Sequence, residues 1–137
     1  MNTKLLMTIS AVILGLTGIV LLFLPQEIST YFGLKEINSL VLQILGALYF
    51  GFAVLNWTAK ANLIGGIYSR PVAIGNFTHF LIGGLSLSKL AFRNMGLTYI
   101  WIAVIIYSIF AILFGYVLFH NPKLKNKSIR DSREINL

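Results

Sequence analysis

The chain has 137 residues, of which 57% are hydrophobic and only 11% charged, and its formal net charge is +7. A soluble domain carries about 25% charged residues, so this chain lacks the polar surface to fold in water, and lipid is the solvent it fits. It has no cysteine, which excludes disulfides, thiolate metal sites, iron–sulfur clusters and thiol redox chemistry.

Crossing the hydrocarbon core as a helix takes about 20 apolar residues, and four segments qualify. The first, residues 5–24, holds no charge and stops at Pro25. Met1 to Lys4 resembles the basic start of a secretory signal. The apolar run behind it is too long for one, however, and closes in Leu24-Pro25 without a small-residue cleavage site, so it reads as a retained span. The second span covers 39–59. The third covers 71–88, with Pro71 in a first turn that does not need its missing N–H. The fourth covers 97–119 and is closed by His120-Asn121-Pro122. No proline interrupts a span, so nothing points to the broken helices of many transporters. The prediction is an all-α membrane protein. A single domain, residues 1–120, forms a compact four-transmembrane-helix bundle, followed by a basic, disordered cytoplasmic tail, 121–137.

Four spans put both termini on one face. That face carries Lys4, Lys60, Arg70, Lys123, Lys125, Lys127, Arg130 and Arg133, against Lys35, Lys89 and Arg93 opposite. The imbalance places both termini in the cytoplasm of a bacterial inner membrane. It also accounts for the positive charge without nucleic acid. The tail touches anionic lipid.

Helices in lipid associate through small residues that let backbones approach. Ala11, Gly15 and Gly18 form such a stripe in the first span. Ala47 and Gly51 form a pair in the second, and Ser108, Ala111 and Gly115 form a stripe in the fourth. The stripes predict packing within the chain, with a homo-oligomer face as the alternative. Tyr31, Phe32, Trp57, Tyr68, Tyr99, Trp101 and Tyr116 lie near span ends, where aromatic side chains form an interfacial belt.

The third span carries Asn76 and His79, which share a helical face with Gly83 and Ser86. His79 lies eight residues past Pro71, about 12 Å into the helix and near the bilayer midplane. In the second span Tyr49, Asn56 and Lys60 share a face, with Gln43 beside it. The two spans are joined by a short loop and should be antiparallel neighbours. The expectation is one internal polar cluster of Tyr49, Asn56, Asn76 and His79, with Gln43 above and Lys60 and Arg70 at the cytoplasmic rim. Such a cluster either links helices by hydrogen bonds or receives a ligand.

Catalytic readings lack residues. No Asp or Glu lies in any span, which removes proton-coupled export through a membrane glutamate and di-iron chemistry. His79 and His120 lie at different depths, so a His–His haem does not fit, and His79 alone cannot hold zinc. No serine has the sequence context of a membrane protease. No cofactor or metal is expected.

The layout, with the glycine-rich ILGALYFGFAVLNW of the second span (residues 44–57) and Arg70-Pro71-Val72 opening the third, resembles small bacterial four-helix membrane proteins of the broad DoxX-like group. The resemblance implies a compact bundle with cytoplasmic termini, and some of that group accompany quinone-linked oxidoreductases. It carries no catalytic residue onto this chain. The expected function is a small non-enzymatic accessory or binding subunit that works among membrane lipids with a partner membrane protein or a second copy. The alternative is binding or transport of a small apolar molecule, a quinone, isoprenoid or lipid, around His79.

Overall fold

The computed structural model describes residues 2–33, 38–61, 70–93 and 98–120. Lys35, Glu36, Tyr68 and the tail, 121–137, lie outside the described residues. The chain is all-helical, with five helices among those residues: α1 (Thr3–Phe23), α2 (Pro25–Tyr31), α3 (Ser39–Ala59), α4 (Arg70–Arg93) and α5 (Thr98–Phe119). Three of them, α1, α3 and α5, are long and apolar enough to cross a membrane. α4 is longer, at 24 residues, but Asn76, Thr78 and His79 dilute its apolar character.

Local chemistry sets the boundaries. The Asn2 side chain accepts from Leu5 N at 3.2 Å and caps α1, and Asn38 caps α3 by accepting from Leu40 N at 3.0 Å. Asparagine does this because its oxygen replaces a carbonyl that the first turn lacks. Pro25 ends α1 but also opens α2, an element absent from the expected first loop. Proline suits a first helical position, and Glu27 in the first turn favours the positive end of the helix dipole. Gly33, at φ +66°, lets the chain leave α2 in the left-handed conformation.

α4 runs five residues past its expected end at Ser88. Nothing in Lys89-Leu90-Ala91-Phe92-Arg93 breaks a helix, and Ala91 is buried in a small core with Ile100 and Val104 of α5. Lys89 and Arg93 are therefore helical rather than loop residues.

The long helices pack as two close pairs, α1 with α3 and α4 with α5, while α3 and α4 approach each other less closely. The expected tight pairing of the second and third spans is thus replaced by a looser seam filled by side chains. The α1–α3 contact brings backbone against backbone. A Cβ on Gly18 would lie 2.8 Å from Phe50 N and 2.9 Å from Gly46 O, and one on Gly46 would lie 2.9 Å from Gly18 O. Gly15 faces Ala53 in the same seam. In the other pair, the Tyr107 ring takes the space a Cβ would need at Gly83, and Phe77 covers Gly115.

One small-residue expectation fails: Ala47 and Gly51 are exposed on α3, and a Cβ on Gly51 would meet nothing within 4 Å. In the α5 stripe Ala111 and Gly115 are buried, Gly115 under Phe77 of α4, and only Ser108 is exposed. The stripe that packs α3 runs through Gly46 and Ala53, on a neighbouring face. Between the two pairs lies a core of Met7, Leu14, Phe80, Phe110 and Phe114, in which the Phe80 ring stacks on Phe110 at 4.8 Å. The outer faces are apolar: Leu16, Ile44, Leu85 and Ile112 are all more than half exposed. Exposed hydroxyls satisfy themselves by bonding back one turn, as Thr8 does to Lys4 O and Thr58 to Val54 O.

Gly18→Ala should destabilise the protein by about 1–3 kcal/mol, because the new methyl meets backbone that cannot yield. Gly51→Ala, with nothing within 4 Å of the new atom, should melt like wild type. Equal melting temperatures for the two variants in lipid nanodiscs would refute the backbone contact.

Candidate functional site

The expected single cluster resolves into two groups. The first is made of amides. Asn56 of α3 and Asn76 of α4 face each other, and each Nδ2 donates to the other's Oδ1 at 2.7 Å. Asn56 Nδ2 also donates to Ser10 Oγ of α1 at 3.1 Å, and Asn76 Nδ2 donates to Val72 O at 2.9 Å. Ser10 Oγ donates in turn to Met7 O at 3.0 Å. All three side chains are fully buried. Each amide nitrogen has two protons and uses both. The group joins three helices, and every donor in it is satisfied internally, so it has no proton to offer a ligand.

The second group is aromatic and lies one turn further along α4. The His79 ring stacks on Phe52 of α3 at 4.9 Å. It meets the edge of Tyr49 at 5.4 Å and of its neighbour Phe80 at 5.1 Å, and lies 5.7 Å from Tyr107 of α5. It makes no bond to Asn76, whose amide is committed to Asn56. His79 Nε2 is buried and has no hydrogen-bond partner among the described residues. An unmet buried polar atom costs about 1–3 kcal/mol. The Tyr49 and Tyr107 hydroxyls share a hydrogen bond. One proton serves that bond, and the other remains to donate.

Beside this pair is a cavity of about 250 Å³, walled by Leu14 and Thr17 of α1, Tyr49 of α3, Phe80 and Leu87 of α4, and Tyr107 of α5. All four long helices contribute. Thr17 Oγ1 already donates to Ile13 O at 2.9 Å, so the tyrosine pair is the main polar handle. His79 stands behind the two tyrosine rings rather than in the cavity wall.

The remaining expected residues fall outside both groups. Gln43 is exposed on α3, and Arg70 is exposed at the start of α4. The Lys60 ammonium sits over the Trp57 ring, 2.9 Å from its centre, a cation–π contact at the end of α3. Ser10 and Tyr107 were not expected. The available signal for Tyr107 was its depth: like Tyr49 it lies mid-helix, away from the interface where tyrosine is common. Ser10 carried no signal beyond being a hydroxyl in an apolar run.

Compared with models of known protein families, with curated proteins and with solved structures, the chain matches none.

The amide group yields a double-mutant prediction. Asn56→Leu and Asn76→Leu should each destabilise strongly by leaving the opposite amide unpaired, and the double variant should cost less than the two singles together. A coupling of about 0.6–1.7 kcal/mol in an unfolding cycle in bilayers is expected. Additive effects would show that the reciprocal bonds do not form.

Proposed function

We propose that the protein is a small membrane subunit, without catalysis of its own, that binds a small apolar molecule in the cavity beside Tyr49 and Tyr107. The observation that carries this reading is the cavity itself: four helices wall it, and it is apolar except for Thr17, whose proton is committed to Ile13 O, and a tyrosine hydroxyl pair with a proton to spare. Apolar walls with a few placed polar groups are what small-molecule sites look like. The orphaned His79 Nε2 behind the tyrosines adds support. A quinone, an isoprenoid or a lipid has the required character, and the layout resemblance to the DoxX-like group points toward the first. No Asp or Glu lies in any of the four long helices, so no carboxylate stands ready as general acid or base.

The reading includes four spans, with α4 crossing as the fourth. Its polar residues support this rather than oppose it. Asn76 bonds at the level of Ser10 and Asn56, so α4 stands alongside α1 and α3 at equal depth. Its outward side chains, Ile74, Leu81, Ile82 and Leu85, are apolar and exposed, as a lipid-facing surface requires. With four spans, the lysine and arginine distribution favours cytoplasmic termini, in keeping with the proposed bacterial inner-membrane location. Exposed Tyr31, Trp57, Tyr99 and Tyr116 suit its two interfaces.

Two measurements test the reading. The chain has no cysteine, so single cysteines at Arg70 and Arg93 report topology with an impermeant maleimide on spheroplasts. Arg93→Cys should label from outside and Arg70→Cys only after permeabilisation; labelling of both from one side would remove α4 as a span. Native mass spectrometry from nanodiscs should show a discrete added mass that is strongly reduced in the Tyr49→Phe, Tyr107→Phe double variant, since either hydroxyl alone keeps a proton to donate. A protein carrying only bulk phospholipid would overturn the binding reading.

A further inference from the structure

α1 and α5 touch only sparsely. Along their seam runs a groove of about 380 Å³, bounded by Leu5 and Ile9 on one side and Ile109 and Leu113 on the other, and reaching Asn2 at the start of α1. Ile13 and Ile106 line both this groove and the inner cavity, so the two spaces meet at these side chains. The groove's polar residue, Asn2, is occupied in capping α1. Among the described residues, no charged side chain and no histidine lines either space.

We propose that the cavity takes a single-chain amphiphile with a neutral oxygen head, a carbonyl or hydroxyl, which enters sideways from the bilayer between α1 and α5. The proposal rests on the binding reading given above and names its ligand class and route. Three observations carry it. First, the handle is uncharged. A carboxylate or phosphate head would be buried beside two tyrosines with no cation among the described lining residues to pair it, at a cost far above what two hydrogen bonds return. A carbonyl oxygen instead accepts the spare tyrosine proton, and a hydroxyl can both accept and donate there. Second, the handle is deep. Tyr49 lies ten residues past Ser39 in a 21-residue helix, and Tyr107 nine past Thr98 in a 22-residue helix. In a bilayer both therefore lie near the midplane. A phospholipid keeps its head at the surface, whereas a neutral head can leave it. Third, the groove has a chain's dimensions. From Asn2 to Ile13 it follows about 16 Å of helix, roughly half of the ~30 Å hydrocarbon core. One chain fills that leaflet depth with its head at the threshold. Ile13 and Ile106 are the gate residues.

The test uses photocrosslinking in nanodiscs with three probes: hexadecanol carrying a diazirine, the matching hexadecanoic acid, and a phosphatidylcholine carrying the same diazirine. The alcohol should label α1 and α5 peptides containing Ile9, Ile13, Ile109 and Leu113, and unlabelled hexadecanol should compete. Labelling should fall roughly fivefold or more in the Tyr49→Phe, Tyr107→Phe double variant, the factor for losing one hydrogen bond. The acid, at a pH where it is ionised, should label these peptides no more than the phospholipid does. Ile13→Trp should block the alcohol while leaving the melting temperature near wild type, and Ile106→Phe serves as the second plug if Ile13→Trp does not fold. Equal competed labelling by ionised acid overturns the neutral head. Saturable labelling on α3 and α4 instead overturns the route and leaves the cavity reading standing. No competed labelling by any probe, together with no bound mass, overturns the cavity reading itself.

Discussion

In lipid no water is available to complete a hydrogen bond, so every polar group in the helices must be met by the protein. The rest of the structure follows from that constraint. Thr8, Thr17, Thr58 and Ser88 meet it locally, each by donating to a carbonyl of the preceding turn. Asn56 and Asn76 cannot meet it locally, since each amide has more protons than its own turn can take. They meet it by facing each other across the two helix pairs, with Ser10 as the third member. The requirement for satisfaction is thus converted into a requirement for assembly. The pairs must stand at one relative height, or several buried groups go unmet at once.

The two kinds of seam divide the work. Within a pair, Gly18 and Gly46 bring backbones into contact, and dispersion over that area holds α1 to α3. Between pairs, the spacing is set by rings: Tyr49 and Phe52 of α3 pack on His79 of α4, with Tyr107 of α5 on its other side, while Phe80, Phe110 and Phe114 stack within the α4–α5 pair. Large planar groups fill space less evenly than small ones. The cavity and the α1–α5 groove both lie at the looser seams. A chain built of glycine contacts throughout would have no room for a ligand, and one built of rings throughout would lack a fixed register.

Much of this was legible in the sequence, for physical reasons. Hydropathy reports spans, so α3 lies at the expected positions and α1 and α5 within two residues of them. The length of an apolar run says nothing about where a helix ends once it leaves the apolar stretch, and α4 accordingly ran on to Arg93. A proline and a glycine eight residues apart hid the short α2. Helical spacing put Asn56 and Asn76 on inward faces, and the structure pairs them. It could not show that the amides would use all their protons on each other and on Ser10, which leaves His79 without them. That outcome depends on hydrogen-bond counting in three dimensions. The Ala47–Gly51 pair shows the complementary limit: small residues permit close packing, but a neighbouring face with Gly46 and Ala53 took the contact.

The most polar pair in the long helices therefore marks the fastening of the fold, and the cavity proposed to take a ligand is marked by quieter residues. The two remain connected. Asn76 fixes the rotation and height of α4, and His79 and Phe80 follow it by three and four residues, on the same side of the helix one turn away. Phe80 walls the cavity, and His79 backs the tyrosine pair. A closed amide cluster one turn from an open cavity holds the walls still without competing for the ligand. That arrangement lets the cavity remain nearly free of polar groups, which is the property that restricts what can occupy it.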